Sequence, residues 1–100
     1  MIRLTVLYGN PADRDAFVSH YENTHVPLVK TKPHLSRFTW GLGLPGMDGG
    51  DPPYFLNAEL CFDSAEDMAG AFGSEEGQAT AGDMVNLVCD GVTMMVSEGR

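Results

Sequence analysis

Alternation with a period of two opens the chain. In IRLTVLY, residues Ile2, Leu4, Val6 and Tyr8 fall on one face, which predicts a strand over residues 2–8. GNPAD then breaks the pattern. Asn10 suits an N-cap, Pro11 suits a first helical position where a missing N–H costs nothing, and Asp13 sits where the helix dipole favours an anion. A helix is therefore expected from Pro11. Through ADRDAFVSHYENTHV its inward stripe is Phe17, Tyr21, His25 and Leu28, at helical spacings. Pro27 cannot donate to the carbonyl of Asn23, so the helix is expected to end or kink close to His25.

LSRFTWGLGL alternates again, with Phe38, Trp40, Leu42 and Leu44 on one face. YFLNAELCF does the same with Tyr54, Leu56, Ala58, Leu60 and Phe62, so these segments predict a second and a third strand. Between them PGMDGGDPP, residues 45–53, is too rich in Gly and Pro for either period and predicts a loop that could wall or close over a cleft. Ser64 heads SAEDMAGAF with Asp67 three positions on, as in a capping box. Ser74 opens a further helical piece weakened by Gly77 and Gly82, so the second helix is expected to be broken. GVTMMVSE closes as a fourth strand.

The order βαββαβ is that of a ferredoxin-like α+β unit, with a four-stranded antiparallel sheet and the helices on one face, and residues 1–100 are expected to form a single domain. Opposite the main core faces, Leu7, Phe55, Cys61 and Met95 mix with Thr5, Arg3, Asn57 and Glu59. A half-apolar face of this kind suits a second sheet better than bare solvent, so a homodimer packed through its sheet faces is expected.

Charge narrows the partners. Fourteen acidic residues against six basic ones give a net charge of −8 with no Lys/Arg cluster, which argues against a nucleic-acid or anionic-membrane surface. No run approaches a membrane span and the start lacks the apolar stretch of a signal peptide, so a cytoplasmic location is expected. Cys61 and Cys89 have neither C-x-x-C nor zinc spacing and are read as reduced, partly buried thiols. There is no phosphate loop, nucleophile elbow, His-Glu-x-x-His or acidic triad. Any enzyme built on this chain is expected to work without a cofactor or a metal.

Candidate chemistry concentrates in FVSHYENTHVPL. In an α-helix His20 and His25 stand about 140° apart, too far to share a metal, so His20 is read as a surface or interface residue. His25, on the inward stripe, is a candidate proton acceptor or donor, and Tyr21 one turn earlier could orient it or bond a substrate oxygen. The alternative for His25 is a plain helix-terminal cap. Tyr8, Phe17, Trp40 and Tyr54 are candidate ligand contacts, with ordinary core packing as the competing role. Asp83 could pair with His25, though capping of the last helical turn is the favoured reading.

LYGNPADRDAFVSHYENTHVPLV, with a later F-x-S-x-E (Phe62, Ser64, Glu66) and Asp83 before the last strand, resembles the EthD family, in which Tyr8, Pro11, Asp13, Phe17, Tyr21, His25 and Pro27 have counterparts. This chain has His20 where that family often has an aromatic residue, and its second helix carries a Gly-rich interruption. The resemblance implies a dimeric α+β barrel. It also implies binding of a small, mainly apolar oxygenated organic compound and a functional role for the histidine at position 25. Two readings follow: cofactor-free proton-transfer chemistry (dehydration, isomerisation or decarboxylation) in a catabolic or polyketide-type pathway, or a non-catalytic accessory supporting an oxygenase system such as ether degradation.

Overall fold

A computed structural model describes residues 1–100. Strand β1 (Ile2–Tyr8) is followed by helix α1 (Arg14–His20), a π-helical turn (Tyr21–His25) and helix α2 (Val26–Lys30). Strands β2 (Arg37–Leu42) and β3 (Leu56–Phe62) come next, then helices α3 (Ala65–Gly73) and α4 (Glu75–Asp83), a 3₁₀ turn (Met84–Asn86) and strand β4 (Val92–Glu98). The four strands form one antiparallel sheet in the order β2-β3-β1-β4, the ferredoxin-like arrangement that the order of elements predicts.

Alternation decides what the sheet buries. Leu4, Val6 and Tyr8 of β1 stand opposite Leu60, Ala58 and Leu56 of β3, and all six are buried against the helices. Phe55 departs from the expected pattern. It lies just before β3, is buried on the helix side and sets its ring edge-on to Phe17 at 5.7 Å, because the alternation starts only at Leu56. The predicted strands at 35–44 and 54–62 are accordingly shorter, at Arg37–Leu42 and Leu56–Phe62.

Helix α1 begins later than Pro11. Asp13, in extended conformation, is the N-cap, and its carboxylate accepts from the Ala16 N–H at 3.0 Å, so the three residues before it belong to the turn. The break in the second helical region falls at Ser74, which accepts from the Gly77 N–H at 3.0 Å and starts α4 afresh. Gly77 is required there: a Cβ would lie 2.1 Å from the Ala71 carbonyl oxygen and 2.9 Å from the Phe72 Cα, both backbone atoms. The expected continuation GDMVNLV is cut short, with α4 ending at Asp83 and a 3₁₀ turn following.

The helices leave β4 largely uncovered. Its inward-pointing Val92, Met94 and Val96, paired with Tyr8, Val6 and Leu4, stay exposed, as does Met95 on the opposite face. Residues 46–50 form a surface turn in which Asp48 accepts from the Gly50 N–H at 2.9 Å. No helix is long and apolar enough to cross a membrane.

Candidate functional site

The helix carrying the histidines does not stop at His25. Between α1 and α2 the hydrogen-bond ladder widens, and the Val26 N–H bonds to the Tyr21 carbonyl five residues back. The ladder then restarts, which places Pro27 in the first turn of α2, where its missing N–H breaks nothing. The inserted π-turn also moves the buried face. Val26 and Val29 are buried with Phe17, Tyr21 and His25, while Leu28, expected on the stripe, is only half-buried.

This turn decides the fate of the two histidines. When the repeat is five, residues 20 and 25 come round to the same side, and both reach Asp83 at the end of α4. The expectation of His20 as a surface or interface residue is therefore overturned in part: its side chain stays 30% exposed, but its ring turns to a buried carboxylate. Its Nε2 lies 2.9 and 3.1 Å from the two carboxylate oxygens, and the α-helical phase on which that expectation rested does not apply across a π-turn. The preference for Asp83 as a helix cap is overturned too. Its oxygens accept from His25 Nδ1 at 2.9 Å and from Asn86 Nδ2 at 3.0 Å as well as from His20.

Three donors around one buried carboxylate settle its charge. Burial works to raise the Asp83 pKa, but hydrogen bonds from Asn86, His25 and His20 outweigh it and hold the carboxyl below the usual carboxylate range. A carboxylate accepts only, so it fixes His25 with the proton on Nδ1 and leaves Nε2 as the nitrogen free to take a proton. Burial lowers the basicity of His25 below that of an ordinary imidazole. Asp83 opposes the shift and the charge of Lys32 adds to it, so near neutral pH the ring is an unprotonated base.

His25 faces a cavity of about 330 Å³ between the helices and the sheet. Most of its wall is apolar: Leu4, Val6, Ala58, Leu60 and Met94 from the sheet, Val29, Phe72 and Met84 from the helical layer. Ala81 of α4 is small where a larger side chain would fill the space, Gly77 lets α4 lie close against the Ala71–Phe72 backbone, and Thr80 spends its hydroxyl on the Glu76 carbonyl at 2.8 Å. The polar groups at the cavity are few, as expected of a small-molecule site. Tyr8 and Tyr21 meet edge to face with ring centroids 5.6 Å apart, and the Tyr21 ring lies 5.2 Å from that of His25. Burial pushes both phenols well above their ordinary pKa, so they stay protonated as donors; the Tyr8 hydroxyl donates to Met84 Sδ at 3.6 Å.

Of the residues singled out from sequence, Tyr8, Tyr21 and His25 line this cavity, and Asp83 stands behind His25. Phe17 and Trp40 are outside it. Phe17 stacks on Tyr21 at 6.4 Å and Trp40 packs on the same ring at 5.1 Å, so both buttress the tyrosine. Tyr54, half-buried before β3, lies away from the cavity, as does the 45–53 loop. Lys32 and Met84 line the cavity without having been anticipated. A lysine two residues beyond a helix reads as a solvated C-terminal cation, and nothing in its neighbours signals burial. No group of three or more His, Cys, Asp or Glu side chains converges in a metal-binding arrangement.

Comparison with known proteins matches residues 10–91 to the EthD domain. The chain belongs to the EthD family. An uncharacterised 11.0 kDa protein from the thcB–thcC intergenic region of Rhodococcus erythropolis is 41% identical over 98 residues, covering 98% of this chain and 94% of that one. Among solved structures, an EthD family protein from Bacillus halodurans superimposes with a TM-score of 0.91 at 31% identity, over 100% of this chain and 99% of that one. A dimeric ferredoxin-like protein of unknown function from Thermobifida fusca shares the fold, with a TM-score of 0.73 at 14% identity, over 96% and 88%. The matched residues include the π-turned helix and α4, the two elements that bring His25 and Asp83 together.

Proposed function

We propose that this EthD-family protein binds a small, mainly apolar, oxygenated organic compound between its helices and sheet and moves a proton on it through His25. One observation carries the reading: an imidazole fixed by a buried carboxylate opens onto an apolar cavity of about 330 Å³. Asp83 holds the Nδ1 proton, so His25 Nε2 accepts a proton from the ligand and returns it at the same or a neighbouring atom. Tyr21, protonated and beside the ring, donates to a ligand oxygen. Isomerisation, dehydration and decarboxylation all begin or end with such a transfer, and the chain's own side chains supply every group it needs.

The proposal includes a homodimer through the sheet faces. The dimeric relative of the same fold supports it, and so do the exposed Met95 on the open face and the uncovered apolar edge strand β4.

Proton abstraction can be tested before the substrate is known. A panel of small ketones and hydroxy-carbonyl compounds is incubated with the protein in D₂O, and C–H to C–D exchange is followed by NMR. Exchange catalysed by the wild type and lost in His25→Ala supports the reading. Binding of panel compounds with no exchange favours a ligand-carrying accessory role, and neither binding nor exchange overturns the site.

A further inference from the structure

Lys32 is the sole acidic or basic side chain besides His25 on the cavity wall, and the His25–Asp83 pair does not use it. It follows α2 by two residues. Its backbone N–H bonds to the Val29 carbonyl at 3.1 Å, which turns the chain inward just before Pro33. The side chain is 8% exposed and its Nζ lies 4.2 Å from the centre of the Phe72 ring, so the ammonium rests on an aromatic face at the cavity wall.

No anion of the protein neutralises it. The chain has fourteen acidic residues, yet its four ion pairs join His20, His25, His34 and Arg100 to carboxylates and leave Lys32 out. Burying an ammonium without a counter-ion is costly, and a methionine of similar length would fill the same space at no such cost. Burial alone pulls its pKa down to about 8, so at neutral pH most of the population is still charged. The cavity therefore offers a desolvated cation with apolar walls around it, and the matching guest is an apolar body bearing one anionic oxygen.

We infer that Lys32 is the anchor for an anionic oxygen of the ligand, which makes this cavity a receptor for apolar carboxylates or enolates rather than for neutral ethers or alcohols. The inference rests on the cavity being a ligand site, as proposed above, and adds the chemical class of its guest. Both anions present the same oxygen to the ammonium, with His25 on the same cavity wall.

Benzoate and benzyl alcohol are suitable probes because they share a ring and differ in the charged oxygen. The wild type should bind benzoate about tenfold or more tighter by titration calorimetry, and Lys32→Met should lose that preference while still binding benzyl alcohol. A thermal melt shows whether the variant folds. A measurement without mutation runs alongside: reductive methylation followed by peptide mapping should find Lys32 shielded by benzoate and not by benzyl alcohol, with exposed Lys30 methylated at an unchanged rate. Equal affinity for the two probes, a benzoate preference that persists in Lys32→Met, or methylation of Lys32 indifferent to benzoate overturns the inference. Selective benzoate binding without deuterium exchange on any panel compound supports Lys32 as anchor and removes the proton-transfer reading. Failure of both probes to bind overturns the inference, and only failure of the panel compounds as well removes the ligand site.

Discussion

His20 and His25 reach one carboxylate. Each places a ring nitrogen 2.9 Å from an oxygen of Asp83, although a regular α-helix would set them about 140° apart. The π-turn brings the pair together, and the end of α4, more than fifty residues on, supplies the acceptor. The imidazole of His25 and the carboxylate that orients it thus come from separate elements, locked by charge-assisted hydrogen bonds.

Asp83→Ala should remove that lock. It leaves a buried His25 N–H without an acceptor, at a cost of about 1–3 kcal/mol that thermal or urea unfolding will register. The pKa of His25 should fall further, because Asp83 is the group that raises it against burial. Histidine ¹⁵N NMR titrations of the two proteins check this directly, and a rise would contradict the assigned geometry.

Stability should decline on the acid side. His25 has a folded pKa below its ordinary value, so as pH falls below about 6.5 the unfolded chain takes up a proton that the folded one refuses, and stability is lost. Asp83 is also depressed: its contribution is present above about pH 3.9 and is lost as pH falls through its folded value. Lys32 acts at the other end. Between its folded pKa of about 8 and the ordinary 10.5 the unfolded state holds the extra proton, so stability should rise across that interval, and Lys32→Met should flatten the rise. Denaturation midpoints from about pH 4 to 10.5 measure the His25 and Lys32 effects, and extending them below about pH 3.9 measures that of Asp83.

How much of this was legible follows from where each signal resides. Strand alternation and turn chemistry are local, so β1, β3 and the break at Ser74 can be read directly from the residues. The position of His25 on an inward face was equally legible from Phe17 and Tyr21 behind it. The π-turn was not, because one wider ring leaves no periodic trace in a segment of five residues, and the errors over His20, Leu28 and Pro27 all descend from it. Pairing of Asp83 with the histidines and burial of Lys32 are tertiary facts. A single chain carries no local mark of either.

Tyr21→Phe separates packing from chemistry. The ring contacts with Tyr8, Phe17, His25 and Trp40 survive, so the melting temperature should stay within a few degrees, while the hydroxyl, which also bonds to that of Tyr8, is lost. If Tyr21 bonds a ligand oxygen, deuterium exchange should slow about tenfold or more with little change in stability. An unchanged rate would confine Tyr21 to a structural role.

The sheet-face dimer can be challenged at Met95. Replacing this exposed side chain with Glu puts a charge into the proposed interface on a chain already at −8. Light scattering after size exclusion should show a dimer for the wild type and a shift toward monomer for Met95→Glu. A dimer of unchanged affinity would place the contact elsewhere.

The π-turn also makes residue number between positions 20 and 25 a quantity in its own right. Deleting one residue there would repair the backbone ladder into an ordinary helix, a change that favours the local fold. It would also leave His20 and His25 four residues apart, about 40° from one another around a regular helix, so both would keep the side that faces Asp83. The exposed Glu22, Asn23 and Thr24 thus hold one residue more than the face requires, and the wider turn lets a five-residue spacing present the side that an ordinary four would. In this segment a protein one residue shorter would be a better helix with the same imidazole still on its inward side.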